Sequence, residues 1–326
     1  MAKKGKAAAK KKPRKRGPKT PSLRFQLIRV AVALMVLIAL VVAAGVITHQ
    51  IVRRPPPSPG LPTQDASVPS APTYPLPAFE VYPDKDIPVR RRYPEARKPA
   101  RVVDKPKVAI IIDDLGYDPA IAERFLSLGA PVTFSILPHA PFSRKIARKA
   151  ESRGIETMLH LPMEPDEYPQ INPGPGALMS AMSPDELIAQ LKRNLDDVPT
   201  ARGVNNHMGS RLTANSSQLY QVFSVLRQRD LYFIDSRTTP NSLCRPSARI
   251  FRLRFSERDV FLDHVQDPEF IRNQSLKLVE IAKIHGEAIG IAHPNLLTFQ
   301  VLRDMLPELT KVVQMVPASE VVHPAG

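Results

Sequence analysis

Two neighbouring aspartates, Asp113 and Asp114, follow an apolar stretch of the chain, and single histidines follow later apolar stretches. In such a pair, one carboxylate can bind a cation while the other stays free as a base toward water. Imidazole and carboxylate groups suit zinc or a similar divalent ion, which lowers the pKa of a bound water toward about 7 and polarises a carbonyl. A further histidine on the far side can protonate a leaving amine. These side chains predict metal-dependent hydrolysis of an amide or ester.

These side chains need a scaffold that brings distant parts of the chain together. Short β-branched stretches alternate with helical patterns, which is typical of a parallel sheet. We expect strands at residues 108–112, 132–137, 155–161, 203–207, 232–235, 259–263, 288–293 and 312–316. Because the carboxyl ends of parallel strands meet at one face, ionisable residues at those ends predict a single site. The residues at the expected strand ends are Asp113, Asp114, His160, His207, Asp235, Asp263 and His293.

The helix starts can be read independently of the strands. Asp118 and Asp267 each precede a proline, which places a capping side chain before the first helical residue. Residues 183–186 have the sequence of a capping box. Seven or eight strand–helix units in about 210 residues predict an α/β fold, a distorted (β/α) barrel with seven to eight parallel strands. A long open sheet is the alternative that the pattern leaves.

The first hundred residues differ in composition from the rest. About twelve positive charges of the net +15 lie in residues 1–29, so the remainder carries about +3 (15 − 12), and nucleic acid is not an expected partner. Residues 30–47 are uncharged and as a helix would span about 27 Å, enough to cross a bilayer. We expect a basic cytoplasmic arm at 1–29, a transmembrane anchor at 30–52, a Pro-rich disordered linker at 53–106 and a catalytic domain at 107–326.

The charges around the apolar segment predict its orientation. Positive charge is much denser before the segment than after it, although Arg53 and Arg54 follow it. We therefore expect a single-pass protein of a bacterial inner membrane, with its N-terminus in the cytoplasm and its catalytic domain in the periplasm or outside the cell. A cleaved signal peptide is the alternative, but this apolar segment is longer than the apolar region of most signal peptides.

Six short segments carry a resemblance to a known family. They are VAIIIDDLGY at 108–117, GIETMLHLPMEP at 154–165, GVNNHMGSR at 203–211, DSRTT at 235–239, RDVFLD at 258–263 and IGIAHP at 289–294. In this order they resemble the divergent polysaccharide deacetylases, and the resemblance covers residues 107 to about 316. It implies the distorted barrel of carbohydrate deacetylases and a metal-dependent removal of acetyl groups from an N-acetylated sugar.

The resemblance also implies roles for individual residues. The general base, the metal carboxylate, the first histidine ligand and the general acid of the better-known deacetylases correspond here to Asp113, Asp114, His160 and His293. Where those enzymes carry a second histidine four residues after the first, this chain has Glu164, so the third ligand is open between Glu164 and His207. We expect His207, because it ends a strand at the shared face, whereas Glu164 lies in a proline-flanked loop.

Further polar residues near the strand ends are expected to bind substrate or to orient the catalytic groups. An arginine is expected to pair with Asp113 or to contact substrate, and an aspartate is expected to orient His293. The candidates are Asn206, Arg211, Asp235, Arg237, Arg258, Asp259 and Asp263.

The expected activity is removal of acetyl groups from an N-acetylated polysaccharide or sugar of the cell envelope. Its cofactor is one divalent ion, most readily zinc, and its expected partners are the glycan and the membrane. Two alternatives stay open. The first is a non-catalytic barrel that binds envelope glycan or a partner protein, which the departure at Glu164 favours and the retention of Asp113 and His293 disfavours. The second is a metal hydrolase of another bond, such as a phosphodiester.

Overall fold

The computed structural model describes residues 105–325 together with Met35. Apart from Met35, the expected arm and anchor and all but the last two residues of the expected linker lie outside the described residues. No helix in the described part of the chain is long and apolar enough to cross a bilayer. All of the helices and strands given below lie within residues 107–326, the segment that is expected to form the catalytic domain.

The described residues form one ten-stranded sheet. Its strands are β1 (Lys107–Leu115), β2 (Thr133–Ile136), β3 (Thr157–Met163), β4 (Ala201–Met208), β5 (Tyr232–Asp235), β6 (Arg254–Glu257), β7 (Val260–Phe261), β8 (Glu287–Ala292), β9 (Gln314–Met315) and β10 (His323–Pro324). The hydrogen-bonded order is β10-β6-β5-β4-β3-β2-β1-β8-β7, with β9 also paired to β1. Only the pair of β10 with β6 is antiparallel. The predicted parallel sheet is thereby confirmed.

Helices occupy the connections between the strands. They are α1 (Pro119–Leu126), α2 (Ser143–Ser152), α3 (Pro184–Asp197), α4 (Ser210–Thr213), α5 (Ser216–Gln228), α6 (Cys244–Ile250), α7 (Pro268–His285) and α8 (Leu296–Val312), and a 3₁₀ helix spans Ala318–Val321. The three predicted helix starts are confirmed, because each capping side chain accepts a hydrogen bond from a backbone amide of the first turn. The caps are Asp118, Ser183 and Asp267.

Some strand boundaries differ from the predicted ones. The strand expected at 259–263 is reduced to β7, and the strand expected at 312–316 is reduced to β9, because α8 continues to Val312. Strand β6 was not predicted. Its four residues begin with Arg254 and end with Glu257, so a short run of mixed polarity gives no periodic signal.

The chain passes from β6 to β7 through Arg258 and Asp259 alone, although these strands lie near opposite ends of the hydrogen-bonded order. The Arg258 amide donates to the Asp235 carbonyl at 2.9 Å, and the Asp259 amide donates to the Ile289 carbonyl at 2.9 Å. The sheet must therefore curl until its two ends approach each other. The architecture is an α/β half-barrel. Arg258 and Asp259 connect its two ends, and we call this place the junction of the sheet.

The two faces of the curled sheet carry separate apolar layers. Helices pack on one face. The other face has its own cluster, which includes residues at 109, 111, 158, 289 and 291 and the 3₁₀ helix. Because side chains alternate along a strand, Asp113 shares a face with 109 and 111, His160 with 158, and His293 with 289 and 291. These three polar residues therefore extend the apolar face that carries the 3₁₀ helix to the carboxyl ends of the strands.

Candidate metal centre

The backbone turns sharply between the two adjacent aspartates. Asp114 has a φ of 55°, in the left-handed region, and the pairing of β1 with β2 shifts register between Ile112 and Leu115. In a regular strand the two side chains would point to opposite faces. Here both approach one imidazole: His160 Nε2 lies 3.7 Å from Asp113 Oδ2 and 3.1 Å from Asp114 Oδ1. Aspartate tolerates this conformation better than most residues do.

Three side chains from β1, β3 and β4 converge on one point. Asp114 Oδ1 lies 2.9 Å from His207 Nδ1 and 3.1 Å from His160 Nε2, and the two imidazole nitrogens are 3.1 Å apart. All three residues are buried. Among the described residues, this is the group of histidine and acidic side chains whose ligand atoms lie close enough together to hold a metal ion. A carboxylate and two imidazoles are a donor set that suits zinc.

The state of Asp114 shows that the group fits a cation. Its Oδ1 atom is buried and has no hydrogen-bond donor among the described residues. Burial acts against ionisation of this carboxyl, yet the nearby imidazoles of His207 and His160 hold its pKa well below the usual range. An ionised carboxylate buried without a donor is costly, and a metal ion relieves that cost.

Asn205 holds the far side of the His160 ring. The Asn205 Oδ1 atom lies 2.9 Å from His160 Nδ1, and the Asn205 amide donates to Asp113 Oδ1 at 2.8 Å. Asn206, the residue predicted from the sequence, does not make these contacts. Strand parity would have found Asn205, because residues 205 and 207 share one face of β4, whereas Asn206 points away. Asn206 accepts from the Ser236 amide at 2.8 Å and donates to the Met208 carbonyl at 2.7 Å.

His293 is held by Asp263, one of the three aspartates that were candidates for this role. Asp263 Oδ1 lies 2.8 Å from His293 Nδ1, and Asp263 Oδ2 accepts from the His293 amide at 2.8 Å. Burial lowers the pKa of this imidazole, but Asp263, aided by the charges of Asp114 and Asp113, outweighs burial, and the pKa rises to about 9. Asp235 instead accepts from the Arg237 amide, and Asp259 accepts from the Ile289 amide. His293 is therefore protonated near neutral pH.

Asp113 differs electrostatically from its neighbour. Burial raises the pKa of its carboxyl and Asp114 adds to this, while His160, His293 and the hydrogen bond from Asn205 oppose it. The net shift is upward, opposite to that of Asp114. Two adjacent carboxyls with pKa values moved apart are suited to different tasks.

Glu164 is engaged outside the group of Asp114 and the two histidines. Its Oε1 atom lies 3.0 Å from Arg211 Nη1, and its Oε2 atom accepts from the backbone amide and hydroxyl of Ser180 at 2.5 Å. These contacts fasten the loop after β3 to the start of α4. One expectation for Arg211 was a pairing with Asp113. The structure pairs Arg211 with Glu164 instead.

The other two candidate arginines line the junction of the sheet. Arg237 Nη1 lies 3.9 Å from Glu257 Oε1. Arg258 donates to the Ser236 carbonyl at 2.8 Å, and its guanidinium lies 3.7 Å from the centre of the Phe261 ring. The Phe261 ring in turn stacks on His293, with 6.0 Å between the ring centres. These contacts support the loop after β5 and one side of the His293 ring.

The curled sheet with a buried carboxylate and two imidazoles at its carboxyl ends defines a class of protein, an α/β domain with a candidate metal centre. Residues 110–322 match the divergent polysaccharide deacetylase family, and the chain belongs to that family. The resemblance recognised in the sequence is thereby confirmed.

The chain is also similar to individual proteins of three bacteria. The uncharacterized protein YibQ of Escherichia coli K12 is 34% identical over 217 residues, which cover 67% of this chain and 67% of that protein. An uncharacterized protein of Haemophilus influenzae is 32% identical over 210 residues, covering 64% of this chain and 74% of that protein. The crystal structure of the uncharacterized protein ATU2773 from Agrobacterium tumefaciens C58 is 25% identical, covers 76% of this chain and all of its own, and has a TM-score of 0.65.

The contrast between His207 and Glu164 generates a prediction about metal binding. His207→Ala should weaken zinc affinity by about a hundredfold or more, because one of three protein ligands is lost. Glu164→Ala should change the affinity by less than about threefold, since its carboxylate is held by Arg211 and Ser180. Competition with a chelating dye measures both affinities, and the two variants serve as matched controls. Retention of zinc by His207→Ala together with its loss from Glu164→Ala would place the glutamate in the ligand set.

Proposed function

We propose that this protein is a metal-dependent deacetylase that removes acetyl groups from an N-acetylated sugar of the cell envelope. The observation that carries the proposal is the group of Asp114, His160 and His207, in which a buried carboxylate oxygen, without a hydrogen-bond donor in the part of the chain that the structure describes, lies about 3 Å from two imidazole nitrogens. Membership of the divergent polysaccharide deacetylase family supports the reaction class. One divalent ion, most readily zinc, is the proposed cofactor.

Each side chain around the ligand group has a separate task in this proposal. A divalent ion held by Asp114, His160 and His207 would supply an acidified water and polarise the acetyl carbonyl. Asp113, oriented by the Asn205 amide at 2.8 Å, accepts the proton of the attacking water. His293 carries a proton near neutral pH and delivers it to the amine that leaves the sugar. Asp263 keeps the His293 ring in one orientation.

Burial of these groups matters for the chemistry. Asp113, His160, His207 and His293 each expose 5% or less of their surface. Charged groups that are shielded from water interact more strongly with one another. Their positions also need to change little during the reaction.

The first experiment tests turnover and the role of Asp113 together. The zinc-loaded protein should release acetate from N-acetylated glycan fragments, and Asp113→Asn should lower the rate by about a hundredfold or more, as expected for loss of a general base. Zinc should remain bound, because asparagine preserves the shape of the side chain and can still accept from Asn205. Asp114→Asn, which also tolerates the left-handed conformation, should lose zinc and activity together.

Three outcomes separate the alternatives. Acetate release at the parent rate by Asp113→Asn would remove Asp113 from the role of base. Glycan binding without acetate release by the zinc-loaded parent would identify a non-catalytic barrel. Cleavage of a phosphodiester without acetate release would identify a metal hydrolase of another bond.

The pair of His293 and Asp263 generates a prediction about pH. A general acid works while it is protonated, so activity should fall as the pH rises through the pKa of His293. Asp263→Asn removes the charge that raises this pKa, and the alkaline limb of the kcat profile should therefore move to lower pH. Asp259→Asn is the matched control, because that carboxylate caps the Ile289 amide. A lower kcat with an unmoved alkaline limb in Asp263→Asn would contradict this role for His293.

The location of the domain is a separate proposal, and the sequence alone supports it. The basic residues 1–29 and the uncharged segment 30–47 favour an inner-membrane anchor with the C-terminal domain outside the cytoplasm. Protease added to spheroplasts should degrade the domain while cytoplasmic marker proteins survive. Resistance in spheroplasts followed by degradation after lysis would reverse the proposed orientation.

A further inference from the structure

Asn205 lies between the proposed base and a proposed metal ligand. It is fully buried, and its backbone is paired directly opposite His160 in the sheet. Its side-chain oxygen lies 2.9 Å from His160 Nδ1, and its side-chain nitrogen lies 2.8 Å from Asp113 Oδ1. One amide therefore contacts both a side chain proposed to bind the ion and the side chain proposed to take the proton.

The chemistry of the neighbours determines which end of the amide faces which side. In the ionised form that the proposed base requires, the Asp113 carboxylate only accepts hydrogen bonds, so the Asn205 NH₂ group must face it. The opposite orientation would place two acceptors 2.8 Å apart. The Asn205 oxygen consequently faces His160 and also accepts from the Ser135 hydroxyl at 2.6 Å. The assignment of oxygen and nitrogen thus follows from the hydrogen-bond network.

This orientation constrains the His160 ring. Because the Asn205 oxygen is an acceptor, His160 Nδ1 must carry a proton to make the 2.9 Å contact. When the ring is neutral, its lone pair is then on Nε2, the atom that lies 3.1 Å from Asp114 Oδ1. Only a nitrogen with a lone pair can bind a metal ion. The tautomer that Asn205 selects is therefore the one that the ligand group needs.

We propose that Asn205 is a positioning residue that fixes the Nδ1-protonated form of His160 and the orientation of the Asp113 carboxyl at the same time. The part that concerns Asp113 rests on the proposed function, whereas the part that concerns His160 needs only the ligand group. Through this one amide, the His160 ring and the Asp113 carboxyl keep a fixed distance and orientation relative to each other. Loss of the amide should disturb both.

The test compares Asn205→Leu with Ser236→Ala in the full-length protein. Leucine has a similar volume and removes the hydrogen bonds to His160 and Asp113. Ser236→Ala removes only the hydroxyl that lies 3.4 Å from the Asn205 nitrogen, and leaves the bonds to His160 and Asp113 in place. Asn205→Ser is a second variant with the same expected losses, should the leucine variant not fold. Circular dichroism establishes that each variant is folded.

The first readout needs neither zinc nor turnover. Selective ¹⁵N labelling of histidine should reveal a protected, downfield Nδ1–H signal of His160 at neutral pH, assigned by its disappearance in His160→Gln. The signal should persist in Ser236→Ala and vanish in Asn205→Leu and Asn205→Ser. A signal that survives unchanged in both Asn205 variants, or one that the parent protein lacks, overturns the proposal.

The second readout is zinc affinity, measured by competition with a chelating dye. Loss of a group that orients a histidine ligand should weaken binding by about 10- to 100-fold. Affinity within about twofold of the parent in a folded Asn205 variant would also overturn the proposal. Acetate release is measured beside it. A parent protein with the Nδ1–H signal and bound zinc but no acetate release would refute the proposed function and leave the role of Asn205 toward His160 standing.

Discussion

The buried, ionised carboxylate of Asp114 is the constraint on which the rest of the site depends. Its Oδ1 atom has no hydrogen-bond donor among the described residues, yet two imidazole nitrogens lie within 3.1 Å of it. An arrangement of this kind is unfavourable in a protein interior unless a cation accompanies it. The surrounding hydrogen bonds keep the three candidate ligand atoms close together. His160 is held through Asn205, and the loop after β3 is held through Glu164 and Arg211.

The curled sheet provides the rigidity that this constraint requires. Parallel strands bring residues 114, 160 and 207 to one edge of the sheet. The separate apolar layer on the face that carries the 3₁₀ helix packs next to them. The left-handed turn at Asp114 then directs two successive carboxyls at one imidazole. Strained backbone of this kind persists where the surrounding structure holds it in place, and it is common at functional sites. The half-barrel thus determines which side chains meet. The local turn at Asp114 determines how closely the two carboxyls approach His160.

Local patterns in the chain specify much of this fold, whereas short elements and individual contacts are specified less clearly. The strand and helix alternation, the caps at Asp118, Ser183 and Asp267, and the convergence of polar residues at the strand ends could be predicted, because each depends on local pattern or on the geometry of parallel sheets. Strand β6 could not, because four residues of mixed polarity give no periodicity. Asn206 was selected where Asn205 makes the contact, although alternation along β4 contained the necessary signal.

The sequence by itself determined the family, the α/β class and a short set of candidate side chains, since these follow from residue types, their spacing and their order. The strand end at His207 had already favoured it over Glu164, and the structure places His207 beside Asp114. Only the tertiary structure decided among the three equivalent aspartates, because it gave Asp263 to His293. The physical reason is that pairing among distant polar groups depends on differences of a few ångströms between strand ends. Sheet register, curl and the turn at Asp114 set those distances, and register and curl depend on pairing between segments that are far apart in the chain.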